Sequence, residues 1–260
     1  MDISSLFDVR GKSAVVTGGT LGIGAMIAEG LASAGVSVLI CSRKSSAVAA
    51  AVERLSGIGA VRGIAADLST PEGIAAMVEA VGDAPLNILV NNAGITWGAR
   101  MEEFPRAGFE KVLNLNLLAP FELTRALLPS LRAAARQDDP ARVINIASID
   151  GLRVPVWESY PYSATKAGLI HMGRHMGKFL AGEHISVNAI APGLFPSRMS
   201  GAVFDFEDPA QVAEAASPLG QRVGTPEDIV GAVLYLASRA GAWLSGVTIP
   251  VGGGVATIDN

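Results

Sequence analysis

The sequence predicts a doubly wound α/β fold, a parallel sheet of about seven strands with helices on both faces. Three observations predict it. Short β-rich runs alternate with longer helical stretches over the whole length. The strand candidates are continuous apolar runs rather than alternating ones, the pattern of strands covered on both faces. A glycine-rich turn, Thr17-Gly18-Gly19-Thr20-Leu21-Gly22-Ile23-Gly24, stands at the first strand–helix junction.

The strands are expected at Ser13–Thr17, Val36–Cys41, Val61–Ala66, Asn87–Asn91, Arg142–Ala147, Ile185–Ile190 and Val247–Pro250. Between them, helices are expected at Ile23–Ala34, Ser45–Ser56, Pro71–Val81, Gly108–Arg136, Tyr162–Ala181 and Pro226–Ser238. Thr225-Pro226-Glu227-Asp228 makes a good helix start. It places a hydroxyl at the N-cap, proline in the first turn and acids at the positive end of the dipole. No internal repeat or linker divides the chain, so residues 1–260 are expected to form one domain. Residues 197–224 have mixed composition and no clear strand, and are expected to form a substrate flap.

Composition narrows the function. The chain is 50% hydrophobic and 17% charged, enough apolar material for a sizeable core. A net charge of -4 gives no basic footprint for nucleic acid. The single cysteine, Cys41, excludes an intramolecular disulfide framework and fits a reducing cytosol. No apolar run reaches the roughly 20 residues of a spanning helix. Residues 1–12 carry acids and no long apolar core, unlike a signal peptide. The expectation is a soluble cytoplasmic protein with a small-molecule ligand and neither a membrane nor a nucleic-acid partner.

The first βα turn is a candidate nucleotide site. Gly18, Gly22 and Gly24 would allow a tight turn and close backbone approach. The helix behind them would offer free amides to a diphosphate. Thr20, Leu21 and Ile23 complete the loop. The plain alternative is a glycine-rich turn with no ligand. After the second strand stand Ser42, Arg43 and Lys44, a hydroxyl and two cations with no carboxylate. A guanidinium fork suits a phosphate, which favours NADP(H), with NAD(H) as the alternative; equally, the two cations could simply solvate the next helix. Asp67 and Leu68 end the third strand, where a carboxylate could accept from an adenine amine or cap a helix. Asn92, Ala93 and Gly94, after Asn91, could line a cofactor groove or make a turn.

Tyr162 and Lys166 leave one helix face a turn apart. An ammonium beside a phenol favours the phenolate and pulls a tyrosine toward the working range of a general acid/base. Tyr160 has no such lysine four residues on. His171 and His175 have metal-ligand spacing but no third ligand near in sequence, so no metal is expected. Asp150, Trp157 and Glu158 lie between Ser148 and Tyr162 and could either touch substrate or pack the loop.

With these residues the chain resembles the short-chain dehydrogenase/reductase family over nearly its full length. The matching pieces are Thr17–Gly24, Asp67, Asn91–Gly94, Asn116, Ser148, Tyr162 with Lys166, and Pro192-Gly193. Within the family it looks closest to bacterial β-ketoacyl reductases, including the rhamnolipid-pathway type, through residues 91–99 and 191–199. The resemblance implies a Rossmann-type oxidoreductase whose catalytic residues are Asn116, Ser148, Tyr162 and Lys166. Tyr162 would protonate the alkoxide formed by hydride transfer from NADPH. Ser148 would hydrogen-bond the carbonyl oxygen, Lys166 would hold the nicotinamide ribose, and Asn116 would position the lysine through backbone and water. Pro192, Gly193, Phe195 and Ser197 would lie along the nicotinamide.

It further implies a homotetramer, or a dimer. One departure is Val251-Gly252-Gly253-Gly254, with glycine where the family usually has aspartate before a glycine pair; its expected bearing is on a C-terminal subunit contact. Three functions follow: a reductase of 3-oxoacyl thioesters, a dehydrogenase of a sugar acid, polyol or other secondary alcohol, and a nucleotide-sensing binding protein. An intact proton-donor set disfavours the last.

Overall fold

The computed structural model describes residues 3–197, 199–202 and 217–257. Most of the flap expected at 197–224, and Arg198 of the resemblance motif, lie outside the described residues. In order, the elements are α1 (Ile3–Leu6), β1 (Ser13–Thr17), α2 (Gly22–Ser33), β2 (Ser37–Ser42), α3 (Ser45–Ser56), β3 (Val61–Ala65), α4 (Pro71–Val81) and β4 (Ile88–Asn91). Then come α5 (Arg106–Leu113), a π turn (Asn114–Leu118), α6 (Ala119–Ala126), α7 (Leu128–Ala134) and β5 (Ala141–Ile146). After α8 (Tyr160–Leu180) and β6 (Ile185–Pro192), α9 (Pro226–Ala237) leads to β7 (Thr248–Val251).

All seven strands are parallel, in the order β3-β2-β1-β4-β5-β6-β7. Alternate strand residues face opposite layers and both sets are apolar. Val16, Ile40, Val90 and Ile144 pack with Ile27 and Leu31 of α2 and Ile229 and Val233 of α9. Val15, Leu39, Leu89 and Val143 pack with Met77 of α4 and Leu123, Leu127 and Leu131 of α6, its exit and α7. Burial on two faces is why these strands read as unbroken apolar runs. The edge strand β3 is the least buried of the first six and tolerates Arg62 and Gly63.

The long helix expected at Gly108–Arg136 is not one helix. It begins at Arg106, passes through the π turn, and restarts at Ala119 and at Leu128. Pro120 and Pro129 occupy the first turns of α6 and α7, where a residue without an N–H and with a ring toward the preceding turn is tolerated. The helix bearing Tyr162 likewise begins at Tyr160, with Pro161 in its first turn. No helix among the described residues is long and apolar enough to cross a membrane.

Strand order reverses at β1/β4, so the loops after these strands diverge and open a crevice at their carboxyl ends.

Candidate active site

A cleft of about 310 Å³ runs along that edge. Its outer part is built by the β1–α2 turn. Gly18 and Gly22 have φ of 66° and 54°, a left-handed backbone that favours glycine. A Cβ on Gly24 would stand 2.3 Å from the Gly18 carbonyl oxygen and 2.3 Å from Asn92 Nδ2, so only glycine fits. Leu21, the residue before α2, supplies no side-chain cap. The first amides of that helix are left for an outside acceptor. The turn is pinned to the β4 loop: Thr17 Oγ1 accepts from the Asn92 and Ala93 amides at 2.9 Å each, and Asn92 Nδ2 donates to Thr17 O at 2.8 Å. An uncapped helix start behind a glycine-rich loop fits a dinucleotide diphosphate.

Gly18, Thr20, Leu21, Gly22, Ile23 and Gly24 all line the cleft. So do Ser42, Arg43, Asp67, Leu68, Asn92, Ala93, Gly94, Pro192, Gly193 and Ser197. Arg43 is exposed and makes no ion pair with a described residue. Asp67 Oδ1 accepts from the Ser69 hydroxyl at 2.7 Å and the Ser69 amide at 3.0 Å. The Ser69 bonds hold its carboxyl below the usual carboxylate range, with Arg43 adding a smaller pull. The cap of α4 is Thr70, whose hydroxyl accepts from Gly73.

Two residues of the expected cofactor set stand apart from the cleft. Lys44 precedes α3, its carbonyl accepting from the Val48 amide. Phe195 is 3% exposed and sits in the core against Gly224, where a Cβ would fall 2.4 Å from its ring. An aromatic side chain on that loop had a better partner in the apolar layer. Cys41, Ile95, Leu115 and Met199 line the cleft without having been expected there. For Cys41 a signal existed, because it precedes Ser42 at the strand end. Burial pushes its thiol up to about 11.

The inner end joins β5 to α8. Ser148 follows β5 and Tyr162 and Lys166 stand in the first two turns of α8, all three lining the cleft. Ser148 Oγ accepts from the Asp150 amide at 3.1 Å, capping a short turn over Ile149–Gly151, and it hydrogen-bonds Tyr162. Lys166 is 4% exposed; its Nζ donates to the Ile146 carbonyl at 2.7 Å and lies 5.6 Å from the centre of the Tyr162 ring. Asn116, in the π turn, does not line the cleft. Its Oδ1 accepts from the Ile95 amide and its Nδ2 donates to the Ile95 carbonyl, both at 2.9 Å. It therefore holds the loop after β4. A Cβ on Gly94 would lie 3.3 Å from Asn116 Oδ1 and 3.6 Å from Lys166 Nζ, which places the amide beside the lysine.

The electrostatics differ from the expectation that the lysine lowers the tyrosine. Burial pushes Tyr162 up to about 12; the Ser148 bond opposes this, and the Asp150 carboxyl adds to it. Burial pushes Lys166 down to about 8. With its ammonium turned to the Ile146 carbonyl, the lysine does not offset the desolvation of the half-buried phenol. In this state Tyr162 is a proton carrier, not a phenolate. Tyr160, the other tyrosine of the segment, donates to Glu158 at 2.9 Å and has no part in this cluster.

The chain is similar to known proteins over nearly its whole length. The family model described as "Enoyl-(Acyl carrier protein) reductase" matches residues 18–256. The chain is 44% identical over 250 residues to the rhamnolipids biosynthesis 3-oxoacyl-[acyl-carrier-protein] reductase of Pseudomonas aeruginosa, spanning 95% of this chain and 97% of that one. It is 34% identical to the 2-dehydro-3-deoxy-D-gluconate 5-dehydrogenase of Dickeya dadantii, over 97% and 98% of the two chains. The solved Pseudomonas aeruginosa RhlG/NADP active-site complex is similar with a TM-score of 0.92, at 44% identity, over 97% of this chain and 99% of that one. The chain belongs to the short-chain dehydrogenase/reductase family, a class of oxidoreductases.

Proposed function

We propose that the chain is an NADPH-dependent reductase that converts the ketone of a 3-oxoacyl thioester to the 3-hydroxyacyl product. The observation that carries the reading is the joining of Ser148, Tyr162 and Lys166 at one end of a cleft whose other end presents Arg43. The 44% relative is a 3-oxoacyl reductase by name, and the similar solved structure is an NADP complex. When bound, the cofactor supplies the hydride.

The chain's own residues do the rest. Tyr162, kept protonated by burial, gives its phenolic proton to the ketone oxygen as negative charge grows there. Ser148 Oγ accepts from the Asp150 amide and hydrogen-bonds Tyr162, and a ketone oxygen set between the two hydroxyls takes the serine's proton in place of the phenol oxygen. One well-placed donor of this kind is worth about 3 kcal/mol. Lys166 holds the ribose hydroxyls and Asn116 keeps the Ile95 loop beside it. The Gly18–Gly24 turn takes the diphosphate, Ser42 and Arg43 the 2′-phosphate with Lys44 behind them, and Asp67 and Leu68 the adenine. Asn92–Gly94, Pro192-Gly193 and Ser197 form the nicotinamide end, with Phe195 supporting that loop from the core.

Acetoacetyl-coenzyme A with NADPH, followed by loss of the reduced cofactor's absorbance and run beside NADH, tests the reading. Fast turnover favouring NADPH is the expected result. Tight NADPH binding without turnover would remove the ketoacyl substrate and leave the second reading, a sugar-acid or other secondary-alcohol dehydrogenase, which the Dickeya relative favours. A pure sensor would need no proton donor and is disfavoured by the intact set. Assembly as a homotetramer in the cytoplasm belongs to the same proposal, with a dimer as the alternative. It is supported by the apolar side chains that α5, the π turn and α6 leave exposed, Phe109, Leu113, Leu118 and Phe121.

A further inference from the structure

Gly252, just past β7, sits inside the active site's own framework rather than at its periphery. The Gly193 amide donates to the Val251 carbonyl at 2.9 Å, so the chain after β7 lies against the chain after β6. The approach is closer than side chains permit. A Cβ on Gly193 would stand 2.8 Å from Gly252 Cα, and a Cβ on Gly252 would stand 3.3 Å from both Gly193 Cα and Gly193 N. The third neighbour of that same point is Ile149 Cγ2, at 3.2 Å. Ile149 is 6% exposed and directly follows Ser148.

Its turn is also held from the other side. A Cβ on Gly151 would fall 2.7 Å from the Lys166 carbonyl carbon and 2.8 Å from the Ala167 amide, so Ile149–Gly151 lies directly on the backbone of α8. The turn that the Ser148 hydroxyl caps is therefore clamped between α8 and Gly252. Beyond Gly252 the chain stays engaged, since the Gly253 carbonyl accepts from the Leu219 amide at 2.9 Å.

We propose that the segment 251–253 is a positioning strap for the catalytic serine, in which the bare Gly252 sets the spacing between the Ser148 turn and the Pro192–Gly193 wall. Of the three contacts around Gly252, two are backbone fixed by the β6–β7 pairing. The third is a side chain on an irregular turn, and it yields first. Any side chain at 252 pushes Ile149, and through it Ser148, away from the carbonyl oxygen. Gly252 touches no reacting atom; it acts only through Ile149.

The strap rests on the carbonyl-reductase reading above, and its test separates the two. Turnover is measured with acetoacetyl-coenzyme A and NADPH for Gly252→Ala, Ile149→Ala, the double variant and Ser148→Ala, with NADPH affinity by titration of the intact protein. A displacement of a few tenths of an ångström should lower kcat of Gly252→Ala by about tenfold, given that about 1 Å can cost a hundredfold. NADPH affinity and KM should move far less than kcat. Trimming Ile149 removes the methyl in the way, so Gly252→Ala should cost much less kcat in the Ile149→Ala background than in the parent.

Unchanged kcat in Gly252→Ala, or equal losses in both backgrounds, overturns the strap. If Gly252→Ala alone does not fold, a folded and active double variant supports it and an unfolded one overturns it. Ser148→Ala with parental turnover also overturns the strap, since no catalytic serine is left to position, whereas a parent that binds NADPH but does not turn over acetoacetyl-coenzyme A sinks the reductase reading instead.

Discussion

At the scale of single residues, burial decides the protonation of the two groups that matter. Tyr162 at about 12 is protonated throughout the neutral range, as a proton donor for ketone reduction must be. Alcohol oxidation needs the phenolate, so the reverse reaction should speed up with rising pH. Lys166 is a cation whose value falls from 10.5 to about 8, so its ammonium is present below about pH 8 and lost above it. Accordingly kcat/KM for NADPH, which reports the free enzyme, should be flat below about pH 8 and fall with a one-proton slope above it. Lys166→Arg should lose that alkaline limb, because a guanidinium stays charged; a limb that persists would assign it to another group. Tyr162→Phe should bind NADPH and lose about 10³ in turnover, while Tyr160→Phe, whose hydroxyl serves only Glu158, stays close to the parent. That Tyr162 and Lys166 stand together at one cleft was legible in the sequence, because Tyr-x-x-x-Lys requires only helical spacing. The direction of the tyrosine's shift was not, since desolvation comes from tertiary packing and leaves no trace in local spacing.

At the scale of elements, helix starts were readable where the chemistry is local. Asp228 accepts from the Thr225 amide at 2.8 Å and the Thr225 hydroxyl at 3.1 Å, closing the start of α9 as the Thr-Pro-Glu-Asp pattern suggests. Arg222 adds two further bonds to the same carboxylate. Arg222 first, and the Thr225 amide second, hold that carboxyl well below the usual range. A depressed carboxylate contributes stability above its unfolded value near 4 and loses it as pH falls through the folded value. Asp228→Ala should therefore cost about 1 kcal/mol at neutral pH and lower Tm by about 2–4 °C. The gap between the two proteins should close in acid; a constant gap in thermal melts across that range would deny the carboxylate its part. The stretch 106–134 was misread as one helix from Gly108 because its apolar period persists through three segments. Pro120 and Pro129 carried the signal for the two restarts. The π turn carried none: its trace is Asn116 gripping Ile95, a contact between residues 21 apart in sequence.

At the scale of the molecule, the order β3-β2-β1-β4-β5-β6-β7 brings loops from the whole length of the chain to one edge. Strand–helix alternation with right-handed crossovers leads to a doubly wound parallel sheet, which is why the fold class could be read without knowing any contact, while the place of the reversal comes from the structure. What could not be read was the meeting of β7's exit with those of β5 and β6, because glycine carries no side-chain signal. A cofactor lying from Arg43 to Tyr162 would touch loops after β1 to β6, so its binding energy should appear as stability of the entire domain. A ligand that binds only the folded state at a hundred times its Kd adds about 2.7 kcal/mol. For a chain of 260 residues that is a rise in Tm of about 5–10 °C. NADPH should produce this rise at concentrations where NADH gives little, because only NADPH carries a 2′-phosphate for the guanidinium of Arg43. Arg43→Asp should invert the order, the new carboxylate accepting from the ribose hydroxyls of NADH and repelling the phosphate. Thermal melts of both proteins with each cofactor decide the matter: equal shifts by NADPH and NADH in the parent, or the same preference after Arg43→Asp, would take the assignment away from Arg43.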